Sequence, residues 1–241
     1  MDFVEGEILA FDKPYGWTSF DVVGKVRWML CRKLGVKRLK VGHTGTLDPL
    51  ATGVVVVCTG KKTKLIDELQ QHTKEYVATL QLGSTTPSFD LEKPVDATYP
   101  TDHITLSLIN EVIPRFQGEI WQTPPAFSAV KVDGKRAYAY ARKGEDIELK
   151  PKLLIIDEIE ILNFNNETKQ LTLRIVCSKG TYIRALARDI GVALHSGAHL
   201  IALRRTRLGD IRVDDCLNFP KFTALLDTMD TPQASETMQT K

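Results

Sequence analysis

The chain predicts an α+β protein, a mainly antiparallel mixed sheet flanked by helices. Three observations lead there. Strand-like and helix-like stretches are mixed without the regular β-α-β spacing of a parallel sheet. Leu153–Leu162 and Leu171–Cys177 form a strand pair joined across Asn163–Lys169, as in a hairpin. The run Val54-Val55-Val56-Val57 is apolar throughout and reads as a strand buried on both faces.

The elements follow in order. Ile8-Leu9-Ala10-Phe11 is strand-like and runs into the turn residues Asp12-Lys13-Pro14-Tyr15-Gly16. Thr18 or Ser19 caps a helix over about residues 20–34, with Val22, Val23, Val26, Met29, Leu30 and Leu34 on its apolar side and basic residues between them. A loop around Asp48 precedes the strand Val54–Cys58. Thr63 to Gln71 suggests a second helix. Lys74–Leu82 is rich in β-formers and alternates, as a strand does. Gly83–Pro100 reads as a loop and Leu106–Arg115 as a helix. Thr123-Pro124-Pro125 breaks any helix over residues 118–132. Val132-Asp133-Gly134-Lys135 signals a hairpin turn, and Arg136–Lys143 a short helix carrying Tyr138 and Tyr140. Thr181–His195 reads as a helix with Ile183, Leu186, Ala187, Ile190 and Leu194 inward, and Leu200–Arg207 as a strand. The polar end, residues 228–241, is expected to be disordered. No internal repeat is present.

Length and composition fit a globular protein: 241 residues, 43% hydrophobic and 26% charged. No run of 18 apolar residues suggests a membrane span, and Met1-Asp2-Phe3-Val4-Glu5 lacks the order of a signal peptide. A cytoplasmic location is the expectation. Cys31, Cys58, Cys177 and Cys216 are far apart and form no CxxC, so free thiols are expected rather than zinc ligands or disulfides. His195 and His199 have the spacing of a metal pair on a helix, but Ser196-Gly197 interrupts them and no metal site is assigned. Net charge is only +2, yet unevenly placed. Residues 22–47 hold seven basic residues and no acid; residues 169–212 hold nine basic and two acidic. Two such regions can converge on one phosphate-binding face.

Two blocks carry chemistry. In Gly42-His43-Thr44-Gly45-Thr46-Leu47-Asp48-Pro49-Leu50-Ala51-Thr52-Gly53, glycines and Pro49 constrain a loop that presents one carboxylate beside a strand. A carboxylate so placed is a candidate nucleophile or general base, though Asp-Pro among Gly and Thr is by itself a common turn. In Cys177-Ser178-Lys179-Gly180-Thr181-Tyr182-Ile183-Arg184, a strand turns into a helix whose first turn holds Tyr182 and Arg184. An arginine there is suited to pair with Asp48 and keep it ionised. The tempting Gly60-Lys61-Lys62-Thr63 is no P-loop: position 55 is Val where Gly is required, and Lys62 stands where Ser or Thr must follow.

Taken together these blocks resemble the TruB-type tRNA pseudouridine synthases of bacteria. The resemblance also includes Asp12 to Gly16, Lys74-Glu75-Tyr76, Pro125 to Lys131, Tyr138 to Arg142, and Gly197 to Arg205, seven blocks in order over residues 8–207. It implies the pseudouridine synthase catalytic fold over residues 1–227, with an RNA-binding insertion around residues 122–152. It implies isomerisation of uridine 55 in the T-loop of tRNA: the base is flipped out, the glycosidic bond is cleaved, and uracil rotates and rejoins ribose through C5. By the same resemblance Asp48 is the essential aspartate and Arg184 its partner. Tyr76 stacks on the flipped base, Tyr182 and Leu203 line the pocket, and His43 contacts the target loop. Whether the carboxylate attacks ribose or base stays open. No cofactor, metal, protein partner or membrane is implied, and a monomer is expected.

The chain departs from the family pattern in three places. Pro87 stands where an Asp is usual in the loop Gly83 to Asp90. The turn Tyr15-Gly16-Trp17 is a variant. Residues 208–241 are too few and too acidic for the PUA-type domain that many relatives append. Competing readings are a non-catalytic tRNA-binding module, a glycosidic hydrolase, which needs a second pocket acid, and a guide-RNA-dependent enzyme.

Overall fold

A computed structural model describes residues 1–229 except Ala129, Asp133, Arg142, Gly144 and Asp146. The chain order is β1 (Ile8–Lys13), α1 (Ser19–Leu34), β2 (Val41–His43), β3 (Thr52–Thr59), a 3-10 turn (Gly60–Leu65) leading into α2 (Ile66–Leu69), β4 (Lys74–Leu82), β5 (Ser84–Thr85), β6 (Ala97–Thr98), α3 (Leu106–Val112), β7 (Gly118–Gln122), β8 (Lys131–Val132), β9 (Lys135–Arg136), α4 (Ala137–Ala141), β10 (Lys152–Asn165), β11 (Gln170–Cys177), α5 (Ile183–Ala193), β12 (Ala198–Leu208), β13 (Ile211–Arg212) and α6 (Phe219–Asp227).

The main sheet runs β1-β3-β12-β4-β11-β10-β7, with β2 beside β3 and β13 on β12. Every pairing in it is antiparallel except β3 with β12, which are parallel and meet at only two register pairs, Thr52 with Arg204 and Gly53 with Arg205. Gly53 permits this approach. Its φ is +107°, and a Cβ there would lie 2.8 Å from both the backbone N and C of Arg205 and closer still to its carbonyl oxygen.

The core explains the apolar run. Val55 and Val57 join the large cluster with Leu30, Leu80 and Ile175, while Val54 and Val56 join a second cluster with Leu208 and Cys216. A strand covered on both faces cannot alternate in polarity. In β4 buried and part-buried residues do alternate. The cap of α1 is Thr18, in a reciprocal capping box with Asp21.

Several sequence expectations need correction. The helix expected from Thr63 to Gln71 is mostly 3-10 turn, with α2 only four residues long. The helix from Leu106 ends at Val112 and tightens into a 3-10 turn over Ile113–Phe116, where Pro114 has no amide to donate. The expected loop over residues 83–100 holds the β5–β6 ladder. Strand β7 lies where the sequence shows only the helix-breaking Thr123-Pro124-Pro125 and no assigned element, and it pairs with β10. Helix α6, capped by Asn218, was not anticipated. Tyr182 caps α5 from outside rather than lying in its first turn. His195 has φ +52° just past α5 and His199 lies in β12, so the two do not share a helix. All four cysteines are free. The expected tail lies outside the described residues from position 230 on. Among the described residues, no helix is long and apolar enough to cross a membrane.

Candidate active site

The loop carrying Asp48 is pinned on both sides. Before it, the Ser19 hydroxyl at the start of α1 accepts from the Leu47 amide at 2.9 Å and lies 3.3 Å from the Leu47 carbonyl. After it, the Pro49 carbonyl accepts from the Gly16 amide at 2.9 Å and from the Lys13 ammonium at 3.2 Å. The Lys13 side chain is fully buried and also donates to the carbonyls of Pro14 and Trp17. Burial pushes its ammonium down to about 8. The Asp12–Gly16 block therefore acts as a floor under the Asp48 loop.

Arg184, on the first turn of α5, reaches that loop. Its Nε lies 2.8 Å from Asp48 Oδ2, and its Nη2 donates to Asp48 Oδ1 at 3.3 Å and to the Phe127 carbonyl at 3.0 Å. Its Nη1 donates to the Ser88 carbonyl at 3.3 Å. Asp90 stands on the same guanidinium at 3.8 Å. The Arg184 side chain is 5% exposed and that of Asp48 34%, so the cation is sealed in while the carboxylate opens to the cleft. Enclosure pushes the Asp48 carboxyl above the usual carboxylate range and the charge of Asp90 adds to this, while Arg184 and Lys13 draw it back.

Asp48 lines a cleft with Leu50, Ala51, Asp90 and the β12 residues Leu200 to Leu203. Tyr76, on β4, pairs in register with Arg205 of β12 and is 7% exposed. Burial pushes its phenol up; Arg205 opposes that and Asp48 adds to it. Tyr182 lies within electrostatic reach of both Arg184 and Asp48, and burial raises its phenol as well. Gln122, at the end of β7, holds Tyr182 from two sides: it accepts from the Tyr182 amide at 2.9 Å and donates to its carbonyl at 3.2 Å. The fold thus gathers Asp48, Arg184, Tyr182, Tyr76 and Leu203. His43 stands apart. It sits on β2 with its ring edge-on to Phe20 of α1 at 5.1 Å, and among the described residues no bond joins it to Asp48 or Arg184.

A model of the TruB family pseudouridylate synthase N-terminal domain matches residues 32–183, and one of the tRNA pseudouridylate synthase B C-terminal domain matches residues 184–238. This chain belongs to the TruB family of pseudouridylate synthases. It is 67% identical to the tRNA pseudouridine synthase B of Phocaeicola vulgatus, covering 94% of this chain and 96% of that one. It is 50% identical to the protein of the same name from Flavobacterium johnsoniae, covering 92% and 96%. Among solved structures it is similar to a chain of a Cbf5-Nop10-Gar1 complex, with 32% identity and a TM-score of 0.62 over 85% of this chain and 49% of that one. It is also similar to a chain of an H/ACA ribonucleoprotein bound to a substrate RNA containing 2′-deoxyuridine, with 28% identity and a TM-score of 0.64 over 93% and 54%. The two TruB family models meet between Ile183 and Arg184, within α5. Strand β12 of the second part hydrogen-bonds to β3 and β4 of the first, so both parts share one sheet.

Sequence reasoning missed three contributors. Asp90 lay in a loop noted only for Pro87, although it is a buried acid. Lys13 sits in a turn by composition, and its burial is visible only in three dimensions. Gln122 carries no signal in one sequence. The charge reading also sharpens. In residues 169–212, Arg174 pairs with Glu75, Glu158 and Glu160, Arg184 with Asp48, Arg204 with Asp12, and Arg207 with Glu75. Among the described residues, none of the seven cations in residues 22–47 forms an ion pair with a side chain.

Proposed function

We propose that this protein isomerises uridine 55 in the T-loop of tRNA to pseudouridine, with Asp48 as the catalytic carboxylate and Arg184 as its partner. The observation that carries this reading is the Asp48–Arg184 pair, closed at 2.8 Å, with Asp48 lining a cleft that Leu203 also lines. A sealed guanidinium beside the half-buried carboxylate orients it and opposes the upward push of burial, favouring its charged form. The substrate uridine leaves its stack to enter the cleft, at a cost of a few kcal/mol. Tyr76 and Tyr182 supply aromatic surface that offsets part of that cost, and His43, on the α1 side of the loop, contacts the RNA from which the base is drawn. Cleavage at N1 and reattachment at C5 conserve every atom: C5 gives up a proton and N1 gains one.

Residues 1–227 serve as one catalytic unit in this reading, residues 122–152 as an RNA-binding insertion, and the protein acts as a cytoplasmic monomer. Asp90 is the second pocket acid that a glycosidic hydrolase would need. It approaches the same Arg184 Nε at 3.8 Å, against 2.8 Å for Asp48, and its side chain is 7% exposed, which suits a supporting role; release of free uracil would mark hydrolysis instead.

The test is incubation with an unmodified tRNA transcript, mapping of pseudouridine by carbodiimide labelling and primer extension, and assay of free uracil. One stop at the T-loop uridine, absent with Asp48→Asn while tRNA binding persists, is expected. Turnover by Asp48→Asn, or uracil release by the wild type, would overturn the reading.

A further inference from the structure

The outward side of α1 takes no part in the site described above. Phe20, Gly24, Trp28 and Arg32 recur every fourth residue and so form one stripe along the helix, with Phe20 and Trp28 about 12 Å apart along the axis. Phe20 is 72% exposed and Trp28 54%. The Lys25 ammonium lies 4.8 Å from the Trp28 ring centroid and the Arg32 guanidinium 5.5 Å. Between the two rings Gly24 leaves bare backbone: nothing lies within 4 Å of where its Cβ would be. The stripe borders an open groove with the Gly16-Trp17 turn and begins at Phe20, whose ring meets His43.

We propose that this stripe is a second RNA-contact surface, on which an unstacked base lies against Trp28 with its flanking phosphates on Lys25 and Arg32. The proposal rests on the reading of the protein as an RNA-modifying enzyme. Charge complementarity selects the occupant. Residues 22–47 are basic without an acid, and their cations are not consumed by ion pairs among the described residues. The one acid at the groove, Asp21, is taken up by the amide and hydroxyl of Thr18 at 2.8 and 2.7 Å. Lys25 and Arg32 lie over the Trp28 ring and hold it by cation–π contact; a base that stacks there takes the ring face while the two cations swing to its phosphates, the pairing of aromatic and cation that binds single-stranded nucleic acid. Contact with His43 places the stripe next to the loop that carries Asp48, so one RNA can span both.

The test uses the full chain and a tRNA transcript, with Trp28→Ala, Trp28→Phe and Gly24→Glu. Gly24 lies in ordinary helical backbone, so the glutamate adds bulk and negative charge without strain. Trp28→Ala and Gly24→Glu are each expected to raise KM by about 5- to 100-fold and leave kcat within about twofold. Trp28→Phe is expected to keep most of the affinity while reducing the tryptophan fluorescence quench expected on adding tRNA, Trp17 at the same groove remaining. Unchanged KM in both Trp28→Ala and Gly24→Glu, with normal pseudouridine formation by the wild type, would assign the stripe to another partner and overturn this inference alone. A fall in kcat together with melting temperature in Trp28→Ala would make Trp28 structural and overturn it too. Trp28-dependent quenching by tRNA with no pseudouridine formed would uphold the surface and defeat the isomerase reading.

Discussion

Gly53→Ala is the substitution whose cost the structure specifies most closely. The position has φ +107°, where an L side chain is strained by about 1–3 kcal/mol. The new Cβ would also sit 2.8 Å from two backbone atoms of Arg205, so β3 and β12 must part by about 1 Å to reach ordinary contact. These strands meet at two register pairs only, and each ladder hydrogen bond lost costs about 1 kcal/mol. The expected destabilisation is about 3–5 kcal/mol, a large part of the stability of a typical domain. Catalysis is expected to suffer as well, because Asp48 belongs to the β3 side and Leu203 to β12; a displacement of about 1 Å costs on the order of 100-fold in rate. Urea denaturation and single-turnover pseudouridine formation measure the two effects. Gly16→Ala is the control: its φ of +80° carries backbone strain, but nothing lies within 4 Å of the added carbon. A Gly53→Ala protein no less stable than Gly16→Ala, with normal turnover, would refute the idea that close approach at this seam holds the site together.

Three further outcomes are expected. Tyr76→Leu should weaken stacking on the flipped base by about 1–3 kcal/mol, and an unchanged single-turnover rate would remove Tyr76 from the pocket. Turnover should fall on acidification with a midpoint above that of an ordinary carboxylate, since enclosure and Asp90 raise Asp48; Asp90→Asn should move this limb to lower pH, and an unmoved limb would contradict the coupling. Lys13→Met strands three carbonyls and should destabilise the fold by about 2–4 kcal/mol at pH 7. Because the folded-state value of about 8 lies below the unfolded 10.5, the unfolded chain holds more protons between them, so wild-type stability should gain on Lys13→Met by up to about 3 kcal/mol as pH rises through that window; a constant difference in urea midpoints from pH 7 to 10 would speak against a buried ammonium.

The parts of the fold legible in the sequence are those governed by local rules. The β4 strand from Lys74 to Leu82 is correct to the residue because a half-buried strand alternates. The first helix differs by one residue, since its cap and apolar spacing are both written in the chain. Strand β7 and helix α6 escaped notice for the opposite reason: Gly118–Gln122 is stabilised by its partner β10, and α6 by the packing of Phe222 against Phe11. At the site, Asp48 and Arg184 stood out through their surrounding motifs. Asp90, Lys13 and Gln122 did not, because their importance lies in what they touch. An arginine count likewise cannot separate Arg174, bound to three glutamates, from Arg32, which lies over the ring of Trp28 and forms no ion pair among the described residues.

The span of the Asp48–Arg184 contact has a consequence for how the molecule comes into being. The two residues are separated by 136 positions, and Asp12 and Arg204 by 192. A chain emerging from the ribosome exposes the Asp48 loop long before its cationic partner is made. Until β12 arrives, the start of β3 at Thr52 and Gly53 lacks its parallel partner, although β2 already pairs with its far end, and the face of Val54 and Val56 that packs on Leu208 and Cys216 is uncovered. The candidate site is thus among the last features to assemble, and the interval before it closes is when the nascent protein is most prone to aggregate.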